Sequence, residues 1–429
     1  MQGEYKASIA NVPPIWLLAT AACIVPVALV CYSQGLLSSK PGNAAVVKEK
    51  DVPELEIAEI YVYPIKSVRS IKSMSAIATS HGFAHDRSFM LLIKTPSGYK
   101  NMAVAECPQM TQFVQEISSA EKSSDSAQSS GNKNKDNAVI TVHYLACGDT
   151  SRQSSIAIPL EPDTADLKTV SVNMHGSATP AFLMPQRYSD WFTFCLGFDV
   201  DLVYLGPNRR SPLFSEMSNS SSSSKLLPKL WNRTSTTTST SLGQNKLTFA
   251  DCAPYLFCTA ASLADVSRRL RDPNTPEKPM DITKFRPNVV LKSSSHSHAQ
   301  DEDHQDQPWQ EDYWGTIQVN GKTNVVFVHN CVRCKSINID FETGKPGQGP
   351  HGEVLKRMQR DRRIDTGARW SPVFGRYAFW DAAHGDEEEV LWSVGDKVRV
   401  TRVNGERSVW SKSILFLSMC TGQKKTCFD

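Results

Sequence analysis

Short alternating apolar runs recur along most of this chain, and a period of two is that of β-strands buried on one face. The run "LEIAEIYVYPIK" (55–66) places Ala58, Ile60 and Val62 on one side of an extended segment. The runs "SFMLLI" (88–93), "AVITVHYL" (138–145), "SSIAIPL" (154–160) and "DLVYL" (201–205) continue the pattern. Beyond residue 247 it resumes in "NVVL" (288–291), "GTIQVN" (315–320), "NVVFVH" (324–329), "SINIDF" (336–341) and the turn and strand of "VGDKVRVTRV" (394–403). Two segments have helical spacing instead: "YSDWFTFCLGF" (188–198), and "ASLADVSRRL" (261–270) with Leu263, Val266 and Leu270 on one face. Many short strands, few helices and no β–α–β rhythm predict a mostly β (α+β) fold, β-barrel-like with helical decoration.

Three polar tracts interrupt the strands. Residues 118–137 are rich in Ser, Lys and Asn, residues 215–246 hold "SNSSSSS" and "TSTTTSTS", and residues 293–307 read "SSSHSHAQDEDHQDQ". Each carries too little apolar surface to fold alone, so each is expected to be a disordered insertion. His296, His298 and His304 in the third suit a solvated loop better than a metal site.

The N-terminus departs from the rest in the opposite sense. No charge lies between Lys6 and Lys40, and "IWLLATAACIVPVALVCY" (15–32) is about long enough to span a bilayer. Pro26 is tolerable in a membrane helix. Lys40, Lys48 and Lys50 follow, which places the large C-terminal part on the cytosolic side. A cleaved signal peptide is the alternative, but Glu4 offsets Lys6 in what would be its positive leader. The organisation expected is a tail (1–14), a transmembrane anchor (15–37), a linker (38–54), a first β domain (55–206), a Ser/Thr-rich insertion (207–246), a second β domain (247–403) and a C-terminal tail (404–429).

Length and charge narrow the function. The 429 residues allow about two domains. A net charge of +3 gives no bulk attraction to nucleic acid, and none is expected as a partner. The eleven cysteines are an odd, scattered set, which fits a reducing compartment better than a disulfide framework.

Chemistry concentrates at "NCVRC" and at several basic turns. Cys331 and Cys334 have the spacing of half a zinc site, of a redox pair, or of two thiols with different jobs. No second pair completes a zinc site, and the pair sits between strands rather than opening a helix. "YPIKS" ends the first strand with Lys66 and Ser67, "HDRSF" sets Asp86 and Arg87 before a strand, "KFRPN" does the same with Arg286 and Asn288, and "CVRC" carries Arg333. Guanidinium groups at strand edges suit bidentate recognition of phosphate. No G-x-G-x-x-G follows a strand, so no dinucleotide site of the chain's own is visible.

These motifs together resemble the MOSC-domain family. "IYVYPIKSVRSIKSMSAIATSHGFAHDRSFMLL" looks like its N-terminal β-barrel domain. "FADCAPYLFCTAASLADVSRRL", "KFRPNVVL", "EDYWGTIQVNG", "CVRCKSINIDFETG", "SPVFGRYAFW" and "VGDKVRV" look like the MOSC domain itself. With the N-terminal anchor, the order resembles the family's amidoxime-reducing branch. The resemblance implies a molybdenum cofactor, a metal held by the dithiolene of a pterin that ends in a phosphate. It implies Cys334 as the metal ligand, with Arg333 helping to keep that thiol ionised and counted among the cofactor-binding residues, and Lys66, Ser67, Arg87, Arg286 and Asn288 as phosphate and pterin contacts. Asp251, in "FADCAP", matches a position near the pterin or metal, where it would accept pterin N–H groups or handle protons; it serves equally well as a turn or cap residue. Cys331 and Cys252 are expected to be packed thiols. The activity implied is reduction of small N-hydroxylated compounds, amidoximes and hydroxylamines, with electrons from NADH through a cytochrome b5 reductase and cytochrome b5, at the outer mitochondrial membrane. A MOSC protein that carries or transfers the cofactor or its sulfur, and a non-enzymatic membrane protein with a degenerate site, are the alternatives.

Overall fold

The computed structural model describes residues 54–118, 138–148, 150–212, 246–273, 278–294, 307–381 and 389–410. The proposed anchor, nearly all of the three polar insertions and most of the C-terminal tail lie outside these residues. Among the described residues no helix is long and apolar enough to cross a membrane.

The larger sheet closes on itself. Its strands run in the order Val289–Ser293, Tyr255–Thr259, Val373–Trp380, Thr323–Val332, Trp314–Val319, Lys397–Val403, Leu55–Val62, and Leu55–Val62 pairs back onto Val289–Ser293. Ile71–Ser73 extends the sheet beside Leu55–Val62. Closure leaves no long unpaired edge and surrounds a core that includes Ile57, Ile60, Phe257, Ile317 and Phe327. Leu55–Val62, which opens the first domain in sequence, is thus also a stave of the barrel formed by the strands beyond residue 247.

A second, five-stranded sheet runs Thr169–Met174, Ser177–Leu183, Val200–Tyr204, Phe89–Thr95, Gly98–Asn101. A meander of Phe113–Ser118, Val139–Tyr144 and Ser154–Pro159 packs near it. Their shared core takes Tyr188 and Phe192 from the helix Gln186–Leu196, which stops at Gly197 in the left-handed region.

Three expectations are corrected. Leu55–Val62 carries a bulge between Ile57 and Glu59, so Ile57 rather than Ala58 shares the core face with Ile60 and Val62. One β–α–β unit does exist: Tyr255–Thr259 and Val289–Ser293 are parallel, joined through the helix Ala260–Arg269. That helix is capped by Thr259, whose hydroxyl accepts from the Ser262 N–H at 3.2 Å. Finally, "SINIDF" is not one strand. Lys335–Asn338 is a 3₁₀ turn and only Ile339–Asp340 is extended. Asn338 turns its side chain to the Leu355 N–H at 2.9 Å, the local hydrogen bonding that draws Asn out of regular strands.

Candidate cofactor and thiol site

The turn after Leu55–Val62 and the start of Phe89–Thr95 are sewn together. Lys66 N–H donates to the Phe89 carbonyl at 2.8 Å, and Phe89 N–H donates to that of Pro64 at 3.0 Å. Three residues here, Ser67 (φ 69°), Arg87 (φ 52°) and Arg286 (φ 57°), occupy the left-handed region that L side chains rarely adopt. All three were expected phosphate or pterin contacts. Such strain collects where a site dictates the backbone.

Arg87 and Arg286 both lie against the ring of Tyr63, each guanidinium 4.5 Å from its centroid. Asp86 is buried and holds this pair: it accepts from the Tyr63 N–H at 2.8 Å and from Arg87. Arg87 also donates to the Asn288 Oδ1 at 3.1 Å, so Asn288 braces the clamp from the neighbouring strand. Arg286 donates through Nη1 to the Val68 carbonyl at 3.0 Å, while its Nη2 is buried without a partner. Burial, reinforced by Arg87, pushes the Arg286 guanidinium down to about 10. An orphaned donor next to a second guanidinium fits an anion.

Lys66 reaches Asp251 at 2.5 Å, and His175 reaches the same carboxylate at 3.6 Å. Burial lowers the Lys66 ammonium and Asp251 opposes it. Burial alone would raise the Asp251 carboxyl, but Lys66 and His175 outweigh it and hold it well below the usual carboxylate range. Asp251 is therefore an ionised acceptor at neutral pH. The buried Arg210 donates to the carbonyls of Thr248 (3.0 Å), Ala250 and Asp251 (2.5 Å), which fixes the turn that presents this carboxylate.

Lys66, Arg87, Arg210 and Arg286 all lie within electrostatic reach of Asp251. Four cations face two carboxylates, Asp86 and Asp251. The excess of two matches a fully ionised phosphate monoester. The residues present therefore fit the phosphate end of a pterin cofactor.

The two cysteines of "NCVRC" separate in space. The strand predicted to end at His329 continues to Val332, so Cys331 lies inside it and is 3% exposed. Burial pushes its thiol up. Cys252 is buried as well, with the same effect. Cys334 lies beyond the strand, exposed, with its Sγ 3.2 Å from the Ser336 Oγ. Among the described residues no three His, Cys, Asp or Glu side chains converge as a metal cage. A metal at Cys334 would bring further ligands with it, as a dithiolene does.

Arg333 stays within electrostatic reach of Cys334, and the fold gives it a further role. Its guanidinium is turned inward, donating to the Phe285 carbonyl at 2.6 Å and to the Phe374 carbonyl at 2.9 and 2.5 Å. Both aromatic rings flank it. Each of its three nitrogens holds a backbone carbonyl, so Arg333 clamps the turn that carries Arg286.

Tyr63, Asp86, His175 and Arg210 were not singled out as site residues. Tyr63 and Asp86 sit inside the motifs "YPIKS" and "HDRSF". His175 and Arg210 are far from any motif, and only the fold brings them to Asp251.

Comparison with known proteins agrees with this geometry. The MOSC N-terminal beta barrel domain model matches residues 54–199, and the MOSC domain model matches residues 244–399. A molybdenum cofactor sulfurase of Arabidopsis thaliana is 22% identical over 84% of this chain and 38% of its own length. Mitochondrial amidoxime-reducing component 1 of Homo sapiens is 30% identical over 31% of this chain and 34% of its own length. Mitochondrial amidoxime reducing component 2 of Macaca fascicularis is 30% identical over 34% of this chain and 38% of its own length. The chain thus spans well under half the length of the curated relatives it matches. With both domains matched in order over most of the described residues, the chain belongs to the MOSC-domain family.

Proposed function

We propose that this chain is a molybdenum-cofactor oxidoreductase that reduces small N-hydroxylated compounds. The observation that carries the reading is the cluster of Lys66, Arg87, Arg210 and Arg286, with the orphaned Arg286 donor and two charges in excess of Asp86 and Asp251, tied through Arg333 to the strand end that bears Cys334. In this reading Lys66, Ser67, Arg87 and Arg286 hold the cofactor phosphate, Asn288 braces Arg87, Asp251 accepts pterin N–H groups, and Cys334 is the thiolate ligand. The bound cofactor supplies two-electron chemistry at the N–O bond. The balance is R–NH–OH + 2 e⁻ + 2 H⁺ → R–NH₂ + H₂O. Asp251, held ionised, orients Lys66 towards that phosphate. Electrons come from NADH through a cytochrome b5 reductase and cytochrome b5. The reading includes an anchor over residues 15–37 in the outer mitochondrial membrane, with the catalytic part facing the cytosol.

The sulfurase similarity across both domains favours one second reading, a MOSC protein that carries the cofactor or its sulfur. The full chain, purified in detergent, separates the two. The first reading expects molybdenum and pterin near one per chain, and benzamidoxime reduction with NADH, cytochrome b5 and its reductase that is abolished in Cys334→Ser. Stoichiometric cofactor without N-reduction supports the second. Full turnover by Cys334→Ser refutes the ligand assignment.

A further inference from the structure

Beside Cys334 lies a surface that the cofactor site does not use. The segment from Val354 to Trp370 holds six cations (Lys356, Arg357, Arg360, Arg362, Arg363, Arg369) and two acids (Asp361, Asp365), a net +4 in a chain whose total is +3. The rest of the chain therefore nets −1, and the positive charge is localised here. Arg362 is internal, bonded to Asp312 at 2.9 Å through both terminal nitrogens, and Arg357 and Lys356 face Glu353. Asp361 is taken by Arg269. Arg360, Arg363 and Arg369, together with Lys335 next to Cys334, are exposed and have no carboxylate partner among the described residues.

An apolar anchor stands in the middle of this charge. Trp370 is 67% exposed, and the Arg369 guanidinium lies 4.7 Å from its ring centroid. Its backbone is fixed: Gln359 donates to the Trp370 carbonyl at 3.1 Å, and the turn before it is capped by Asp365, which accepts from the Gly367 N–H at 2.9 Å. The segment and the residues just after it are bonded to the turn that Cys334 begins. Arg333 N–H donates to the Pro372 carbonyl at 2.8 Å, and Leu355 N–H donates to Asn338 at the end of the turn that Cys334 begins. An exposed, pre-positioned Trp stacked by an Arg is the composition of a protein-binding hot spot, and the unpaired cations of the same segment select an acidic partner and speed its approach.

We infer that Trp370 with Lys335, Arg360, Arg363 and Arg369 forms the docking surface for an acidic redox protein. This deepens the reading above, which requires an external donor because no dinucleotide fingerprint is present, and it rests on that reading. The arginines lie outside the cofactor site, so docking and cofactor loading are separable.

The test uses the full chain in detergent and the soluble haem domain of cytochrome b5 as probe. Trp370→Ala, and the triple variant Arg360→Glu, Arg363→Glu, Arg369→Glu, should each weaken binding about tenfold or more. Binding by the wild-type chain should fall as salt rises, and in the triple variant that dependence should flatten. Molybdenum content and benzamidoxime turnover with reduced methyl viologen should not change. Wild-type affinity in both variants overturns the inference. So does loss of binding to phosphatidylserine vesicles with cytochrome binding intact, which would make the surface a lipid contact. A chain that turns over with viologen but never binds the cytochrome also refutes the docking surface, while the function stands. A chain without N-reductive turnover that binds the cytochrome through these residues refutes the function, while the surface stands.

Discussion

Replacing Arg333 by Met tests whether this residue is a structural clamp or a cofactor contact. The side chain is 8% exposed and makes three N–H···O=C bonds, one to Phe285 and two to Phe374. Methionine keeps most of the stem packing between the two rings but leaves both carbonyls without donors. A hydrogen bond from a charged donor contributes about 1.5–3 kcal/mol net, so losing two satisfied acceptors costs about 3–6 kcal/mol. With a urea slope of about 3 kcal/mol per M, the midpoint should fall by about 1–2 M. Arg333→Lys should recover little of this, because an ammonium cannot reproduce the planar fork. The measurement belongs on cofactor-free protein, where ligand binding adds nothing to stability. Cofactor affinity should fall too, since the Phe285 carbonyl adjoins Arg286 in its left-handed turn, but only as a consequence of the lost clamp. An Arg333→Met chain that unfolds at the wild-type urea concentration yet no longer retains cofactor would refute the clamp and restore the direct contact.

Three further outcomes follow from single sites. In Gly375→Ala the new Cβ would sit 2.7 Å from the Cys258 Sγ and 2.8 Å from the Phe257 carbonyl oxygen at φ +81°, so thermal unfolding should show a loss of about 2–4 kcal/mol; an unchanged melting temperature contradicts it. Burial, with Asp312 adding to it, raises the Glu311 carboxyl. A carboxyl raised on folding contributes fully below its unfolded value of about 4.3, and that stability is lost as pH climbs towards the folded value. Glu311→Gln should therefore raise the melting temperature at pH 7 and barely move it at pH 4, and equal shifts at both would be the wrong result. Asp251→Asn removes what opposes burial at Lys66, so the lysine should titrate lower still in carbon-13 NMR of labelled side chains; an upward shift would contradict the pairing.

Which parts of this molecule could be read from the chain depended on the range of the cause. The strand at Val139–Tyr144 and the helix at Ala260–Arg269 have local causes, alternation and an amphipathic face, and both appear within two residues of where the pattern puts them. Tyr255–Thr259 and Val373–Trp380 escaped because they are buried almost throughout, and a continuous apolar run has no period to detect. Closure of the barrel was invisible for another reason: the pairing of Leu55–Val62 with Val289–Ser293 joins strands more than two hundred residues apart, and nothing in either run specifies the other. The site divides in the same way. Ser67, Arg87 and Arg286 could be found because each needs an unusual backbone, and such turns draw the Pro, Ser and charged residues that make a motif, Lys66 beside Ser67 among them. Arg333 stands in a motif as well, yet the inward turn of its guanidinium was not legible, since adjacency along the chain to Cys334 says nothing about direction. Successive residues leaving a strand point to opposite sides. The guanidinium therefore goes to the core, where Phe285 and Phe374 wait, while the thiol one residue later goes to solvent. The same alternation makes the strand end useful. One residue anchors the Arg286 turn from within, and its neighbour is left free to face whatever that turn and its partners hold.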